Sequence, residues 1–508
     1  MKSLFKTVSL IVVFSVITRA IGFIFRIYLS RELGAETLGV YQVAFSVFMV
    51  LLTIISSGLP LVISKLTAKY KANNDVLNER KMLSCALVIS LISSAVLALI
   101  VLVANKLFSA MFTDSRSLTV LLMLLPALIF SAIYSTFRGS LWGHNNFFGV
   151  CISELFEQVA RVVCAIILLE VFATTLDGAF STALSLTIAT VLSAVFVIIL
   201  YFYKGSKLAS PREHYKEILK SSIPITGVRM ASNLIQPIMA IIIPMRLVSA
   251  GFSSSQALSQ YGIATGMTMP FLFIPSTITG ALSTALIPDL STAVYKQDND
   301  HISNRISSSI LFTMFISCLF IPLYIGAGEY IGEFFFDNTF SGTLLASSAW
   351  VMLPVGLTGL TASLLNAVGL EMKSLKNYIV GAIMMLLSLW FLPKYIGVRA
   401  MVFGLGICTS IASALNILML KKSHIKNIKV LKPLLLMIAF ILPTSAIVSF
   451  VSNILNNFFP LFFTLAISCI LGCIIFVLLC IIFNVINIKY FLQEYFYKTQ
   501  NIEKKQII

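Results

Sequence analysis

Charged residues are scarce in this chain, and their scarcity excludes a water-soluble protein. Only 11% of the 508 residues are charged, whereas 58% are hydrophobic and the mean hydropathy is +0.97. Soluble domains carry about 25% charged residues, and a surface of this composition would expose apolar patches large enough to aggregate in water. The lipid bilayer must therefore be the main solvent of the chain.

Cysteine and histidine are also few, which leaves little basis for metal or redox chemistry. The eight cysteines lie mostly in apolar runs without a CxxC or Cys/His spacing, and we interpret them as small hydrophobic residues. The histidines fall in predicted loops, so no intramembrane histidine relay is expected; they are His144, His214, His301 and His424. We predict no metal site, no cofactor and no catalytic residue.

Long apolar runs predict an all-α integral membrane protein of about 14 transmembrane helices. A spanning helix needs about 20 predominantly apolar residues. Such runs alternate with charged or turn-forming segments along the whole sequence. They lie at 7–30, 38–64, 83–104, 118–141, 148–170, 180–203, 219–246, 260–287, 306–328, 343–370, 375–393, 400–420, 433–452 and 459–487.

Lysine and arginine are distributed unevenly between alternate loops. If the N-terminus is cytoplasmic, 26 of the 36 lie on the cytoplasmic side and 6 on the other side. The remaining four, Arg19, Arg26, Arg161 and Arg229, lie within predicted helices. The asymmetry predicts that both termini are cytoplasmic. Topology thus accounts for the net charge of +16, and no nucleic-acid partner is expected.

A weak internal repeat relates helices 1–6 to helices 7–12. Residues 63–71 and 287–296 end helices 2 and 8 with similar sequences. An offset of six helices preserves orientation, so we expect two six-helix lobes related by a pseudo-two-fold axis along the membrane normal. The predicted N-lobe spans 1–205 and the C-lobe spans 206–425, with a substrate cavity between them. Residues 426–508 form the predicted C-terminal helices 13–14 and a cytoplasmic tail.

Three arginines inside predicted helices have no acid nearby in the sequence: Arg19, Arg26 and Arg229. Ionisable groups in spanning helices are costly and usually functional. Arg26 lies two turns, about 10 Å, beyond Arg19 on the same face of helix 1. Such arginines either form buried salt bridges or line a shared cationic cavity, and we favour the cavity. Planar guanidinium groups there would bind a phosphate or diphosphate.

A balanced group of charges is predicted around helix 5. Glu154, Glu157 and Arg161 share one helix face because of their spacing. Arg138 ends helix 4 and should lie close to them. Two acids and two arginines can neutralise one another, so we predict a structural or gating ion cluster.

Two other functions fit the sequence less well. An exporter of cationic drugs needs an acid in the lobe core, and predicted helices 1–4 and 7–12 have none near the membrane midplane. A membrane glycan polymerase or ligase usually needs a sizeable external loop, and the predicted external loops are short. A scaffolding role in a cell-wall assembly complex stays open.

Several motifs of this sequence resemble one known family. They are TRAIGFIFR at 18–26, GLP at 58–60 with SK at 64–65, FRGSLWG at 137–143 and EQVAR at 157–161. These segments resemble those of polysaccharide-biosynthesis and stage V sporulation protein B-like transporters. That family belongs to the superfamily of multidrug, oligosaccharidyl-lipid and polysaccharide (MOP) flippases, which includes the lipid II flippase.

The resemblance implies a function in the bacterial cell membrane. The expected substrate is an undecaprenyl-diphosphate-linked glycan or lipid II-like precursor, moved from the inner to the outer leaflet by alternating access. The resemblance also implies that Arg19 and Arg26 line the cavity and that the last two helices form a groove for the lipid tail. The other expected partners are membrane lipids and enzymes of polysaccharide or cell-wall synthesis, and the chain is expected to be a monomer.

Overall fold

The computed structural model describes residues 2–172, 177–203, 207–423 and 431–485. These residues form twenty α-helices, a π-helical turn at Ile263–Thr268 and a 3-10 turn at Ala349–Val351, and they contain no β-strand. The helices are α1 Lys2–Ser56, α2 Leu59–Ala72, α3 Val76–Val103, α4 Asn105–Met111, α5 Ser115–Gly143, α6 Phe147–Val171, α7 Gly178–Tyr203, α8 Tyr215–Asn233, α9 Ile235–Ser249, α10 Ser254–Gly262, α11 Met269–Leu272, α12 Ile274–Tyr295, α13 Asn299–Phe336, α14 Thr339–Ser348, α15 Met352–Ala367, α16 Glu371–Phe391, α17 Pro393–Ile396, α18 Arg399–Ser423, α19 Leu431–Leu455 and α20 Leu461–Ile482.

The prediction of an all-α membrane protein is confirmed. Each of the fourteen predicted segments overlaps helical structure in the described residues, whereas the end of the last segment and the predicted cytoplasmic tail lie outside them. By length and composition alone, ten helical stretches of this part of the chain can cross a membrane. Ten is fewer than fourteen because α1 and α2 count as one stretch and α6 carries four ionisable residues. Predicted helices 7 and 8 are interrupted, and their longest parts, α8 and α12, are long enough but not apolar enough.

Predicted helices 1 and 2 are joined by a kink rather than by a loop. Gly34 has φ 68° and ψ 172°, a conformation that glycine adopts without strain. The helix then continues to Ser56, and α2 begins at Leu59 with Pro60 in its first turn, where the missing N–H costs nothing. The segment between predicted helices 2 and 3 is itself mostly helical, since α2 extends to Ala72 and α3 begins at Val76.

Predicted helix 7 is interrupted at Leu234, between α8 and α9. Pro237 has no N–H to donate to the carbonyl of Asn233, so the helical hydrogen-bond ladder fails at this point. Predicted helix 8 is divided into α10, the π-helical turn, α11 and α12. Broken helices in membrane segments typically line cavities.

The described residues form two compact units. Unit 1 contains the residues up to Met267 together with Pro393–Val398, and unit 2 contains Thr268–Leu392 and the residues from Arg399 onward. The predicted N-lobe, 1–205, lies within unit 1, whereas the predicted C-lobe contributes to both units. The lobes rest on a sequence repeat rather than on contacts, and they stay a prediction.

The core of each unit consists of apolar residues from several helices. In unit 1, Ile63 of α2 and Met82 of α3 pack with Leu141 of α5. In unit 2, Ile310 of α13 packs with residues of α15 and α20 such as Leu364 and Phe476.

Two contacts within unit 1 bring distant backbone segments together. A Cβ atom on Gly39 of α1 would lie 2.0 Å from the carbonyl oxygen of Leu258 in α10, so only glycine fits there. Short helix α17 packs against α9, and the following Val398 N–H donates to Gln260 Oε1 at 3.4 Å. The residues around 393–398 are thereby attached to unit 1.

Candidate functional site

The first part of α1 packs in parallel along α6. The ring centroids of Phe14 and Phe148 are 6.1 Å apart. Further along both helices, a Cβ atom on Gly22 would lie 3.3 Å from the Gln158 amide nitrogen. From Phe14 to Gly22 on α1 and from Phe148 to Gln158 on α6, the two helices therefore run in the same direction side by side. Arg19 and Arg26 on α1 thus fall level with the polar stretch of α6 that the sequence indicated.

The three arginines predicted to bind substrate are all exposed in unit 1. Arg19 and Arg26 lie on α1, and Arg229 lies on α8. Helix α8 is joined to α1 by a hydrogen bond from Asn233 Nδ2 to Thr53 Oγ1 at 3.2 Å. Within the described residues, none of the three arginines forms an ion pair with a carboxylate. That they share one cavity stays a prediction.

The four residues of the predicted ion cluster form two separate pairs. Arg138 Nη1 lies 3.1 Å from Glu154 Oε1 and joins α5 to α6. Arg161 Nη2 donates to Glu157 Oε1 at 2.8 Å within α6. Arg138 also lies over the ring of Tyr134, at 5.6 Å from its centroid. Only the Arg138–Glu154 pair connects two helices, so only that pair can hold the helices together directly.

We expect Glu154→Gln to lower the stability of the protein more than Glu157→Gln does. Removing one member of a fully buried pair costs about 3–5 kcal/mol. The Arg138 and Glu154 side chains are 33% and 35% exposed, and solvent screening reduces the expected cost to about 1–2 kcal/mol. Thermal unfolding of the two purified variants measures the difference. Equal destabilisation by both variants would contradict the helix-joining role.

A second charged cluster, which the sequence analysis missed, joins the starts of α5, α7 and α10 to the kinked part of α1. Arg116, at the start of α5, forms an ion pair with Glu36, and its guanidinium nitrogens lie 2.8 Å from an Asp114 carboxylate oxygen and 3.8 Å from one of Asp177. Glu36 also accepts a hydrogen bond from the Ser255 hydroxyl. Burial raises the pKa of the Asp114 carboxyl, but the hydrogen bonds from Arg116 outweigh burial and hold that pKa below its ordinary value. Only the short Asp114–Arg116 spacing could have indicated this cluster.

The segment before α8 is attached to α2 and α3. His214 lies 3.2 Å from the Tyr70 hydroxyl and 3.4 Å from the Asn78 side-chain oxygen. Lys69 forms an ion pair with Glu217 at 3.3 Å. These contacts fix the start of the helix that carries Arg229. The sequence placed His214 in a loop without a role, because its partners are far away along the chain.

The described residues offer no evident metal site. No group of three or more His, Cys, Asp or Glu side chains in this part of the chain could hold a metal ion. All eight cysteines lie in the described residues as free thiols that are buried or half-buried.

Unit 2 contains an apolar cavity of about 410 Å³. It is bounded by α13, α15, α18 and α19, with the Trp350 indole on one side and two serines among its walls. Residues Ile438 and Ile441 place the first helix of the predicted C-terminal pair at this cavity. The lining would accommodate a hydrocarbon chain rather than a charged group.

Two bacterial relatives are similar in sequence over most of the chain. Stage V sporulation protein B of Bacillus subtilis (strain 168) is 26% identical over 394 residues, which cover 74% of this chain and 75% of the relative. Lipid II flippase MurJ of the same organism is 24% identical over 414 residues, 73% of this chain and 74% of the relative.

Solved structures share the fold at lower sequence identity. An inward-facing multidrug resistance MATE family transporter of the MOP superfamily superposes with a TM-score of 0.68 and 16% identity, over 80% of this chain and 96% of that chain. Lipid II flippase MurJ in an inward closed conformation gives a TM-score of 0.67 and 17% identity, over 93% of this chain and 98% of that chain. The likeness shows that this chain has the MOP transporter fold.

The family comparison agrees with the motifs on α1, α2, α5 and α6. The family described as "Polysaccharide biosynthesis protein" matches residues 4–294, which is more than half of the chain. The resemblance noted in the sequence to this family is thus confirmed, and the helices long and apolar enough to cross a membrane make the chain a multi-pass membrane protein. This chain belongs to the polysaccharide biosynthesis protein family.

Proposed function

We propose that this protein is a flippase for an undecaprenyl-diphosphate-linked glycan or peptidoglycan precursor. It moves the substrate from the inner to the outer leaflet of the bacterial cell membrane by alternating access, and both of its termini are cytoplasmic. The observation that carries the proposal is the pair of exposed arginines on α1, Arg19 and Arg26, which have no carboxylate partner in the described residues. Arginines within membrane segments are costly and typically mark a substrate pathway, and their positive charge favours an anionic substrate.

The charges of unit 1 favour a diphosphate as that ligand. The pairs Arg138–Glu154 and Arg161–Glu157 neutralise themselves. Among the described residues, about three positive charges remain unpaired, on Arg19, Arg26 and Arg229. A lipid diphosphate carries roughly two negative charges, which would neutralise most of them. Guanidinium groups bind phosphate oxygens bidentately.

The names of the relatives support a lipid-linked substrate. One relative is named a lipid II flippase and another a stage V sporulation protein. We infer that the substrate comes from cell-wall or polysaccharide synthesis, that the enzymes of that synthesis are the partners, and that the chain acts as a monomer. The apolar cavity of unit 2 supports a substrate with a hydrocarbon tail.

Export of cationic drugs is the second candidate, because a MATE family transporter shares the fold. A cationic drug needs a free carboxylate in the membrane. The two carboxylates in the middle of α6, Glu154 and Glu157, are each paired with an arginine. This pairing favours an anionic substrate over a cationic one.

Reconstitution into lipid vesicles tests the proposal. We expect the wild-type protein to move a fluorescent undecaprenyl-diphosphate-linked sugar between the leaflets, because its anionic headgroup matches the arginines. A reducing agent that bleaches only the outer leaflet measures this movement, and protein-free vesicles provide the background rate. Accumulation of a cationic dye, without movement of the lipid diphosphate, would replace the flippase assignment by the antiporter.

A further inference from the structure

Arg161 of α6 lies beside Arg26 of α1. Where α1 and α6 pack in parallel, Gly22 contacts Gln158. Arg26 is four residues beyond Gly22, and Arg161 is three residues beyond Gln158, so both lie about one turn further along adjacent helices. The buried Tyr41 interacts electrostatically with both arginines, which supports the same placement.

Arg161 retains hydrogen-bonding capacity after it pairs with Glu157. A guanidinium group has five N–H donors. Only Nη2 donates to Glu157 Oε1, at 2.8 Å, while the Nε donor is buried without a partner. The Glu157 carboxylate therefore fixes the orientation of the guanidinium without satisfying all of its donors.

Two neighbouring guanidinium groups repel each other unless an anion lies between them. Arg26 and Arg161 interact in this unfavourable way, and Glu157 compensates only one of the two charges. An anion that contacts both groups would remove the repulsion. Because the groups come from different helices, each of them can bind its own phosphate of a diphosphate.

We propose that Arg161 contacts the same diphosphate as Arg26, with Glu157 as the residue that positions the Arg161 guanidinium. This inference rests on the proposed function and extends it. It moves Arg161 from the ion cluster predicted from the sequence to the substrate site. It also predicts a preference for a diphosphate over a monophosphate, since a single phosphate cannot engage both guanidinium groups fully.

Binding of short polyprenyl phosphates to the purified full-length protein tests the inference. Farnesyl diphosphate, farnesyl monophosphate and farnesol are compared in detergent by calorimetry. We expect Arg161→Lys to weaken diphosphate binding about tenfold, because lysine keeps the charge but loses the planar donors. Arg138→Lys, the matched control in the neighbouring pair, should leave the affinity unchanged. Thermal unfolding confirms that the variants compared are folded.

A double-mutant cycle and Glu157→Gln test the shared contact. If both arginines bind one diphosphate, the effects of Arg26→Lys and Arg161→Lys should be non-additive. Glu157→Gln should reduce the preference for the diphosphate over the monophosphate, which a purely structural role would not change. If Arg161→Lys binds the diphosphate with wild-type affinity while Arg26→Lys binds it more weakly, this inference is overturned but the proposed function is not. Equal binding of farnesol and farnesyl diphosphate by the wild-type protein would overturn the proposed function as well.

Discussion

Replacing Arg19 and Arg26 together by alanine should reduce translocation of a lipid diphosphate at least about 100-fold. Each charge-assisted hydrogen bond to a phosphate contributes about 1.5–3 kcal/mol, and 1.4 kcal/mol corresponds to about a tenfold change. Both side chains are exposed and have no carboxylate partner in the described part of the chain. Thermal unfolding should therefore change little while the initial rate in vesicles falls. Lysine at both positions should restore part of the rate by restoring the charge.

The same variants should also change the response to membrane voltage. When the diphosphate is bound, the site is nearly neutral. The empty site carries net positive charge while the protein returns to the conformation that faces the substrate-loading side. Voltage acts on that charge with about 2.3 kcal/mol per elementary charge per 100 mV. A potential that is negative on the substrate-loading side should accelerate wild-type transport but not the double alanine variant. A wild-type rate for that variant, or identical rates with and without the potential for the wild type, would contradict the cationic site.

Replacing Gly39 by valine should destabilise unit 1 strongly. The added Cβ would lie 2.0 Å from the backbone carbonyl oxygen of Leu258, and a backbone atom cannot move aside as a flexible side chain does. Overpacking of a well-packed core typically costs about 1–3 kcal/mol, and backbone displacement raises that cost. Small residues allow such close helix contacts in membranes. We expect a clearly lower unfolding temperature and a smaller yield of folded protein.

Gly227→Ala is the matched control on α8 of the same unit. No atom lies within 4 Å of a Cβ atom built at Gly227, and alanine in a helix interior is usually favoured over glycine by about 0.5–1 kcal/mol. The two substitutions should therefore change stability in opposite directions. If Gly39→Val unfolds at the same temperature as Gly227→Ala, the close contact between α1 and α10 is not a stabilising feature.

The sequence predicted the features that depend on local spacing. Apolar runs predicted the helices, because burial in lipid requires about twenty apolar residues in succession. The spacing of Glu154, Glu157 and Arg161 predicted their common helix face, and the structure pairs them with Arg138 and with one another. The interruption of predicted helix 7 also has a local cause, because it lies just before Pro237, which cannot donate the helical hydrogen bond.

Features that depend on tertiary packing were not predictable from one sequence. The contacts of His214 with Tyr70 and of Arg116 with Glu36 join residues far apart along the chain. No local pattern marks such pairs, since each residue alone resembles an ordinary loop charge. Gly34 was equally unpredictable as a kink, because a glycine between two apolar runs is as compatible with a loop as with a continuous helix.

The attachment of 393–398 to unit 1 has a consequence for biosynthesis. The rest of unit 1 is contiguous and ends at Met267, so its helices can assemble while the ribosome is still making unit 2. Helix α17 and Val398, which contact α9 and the Gln260 side chain, are made only after Thr268–Leu392 has been synthesised. At about 5–20 residues per second, this delay is on the order of ten seconds. During that interval a chaperone or the insertion machinery can occupy the vacant surface of α9.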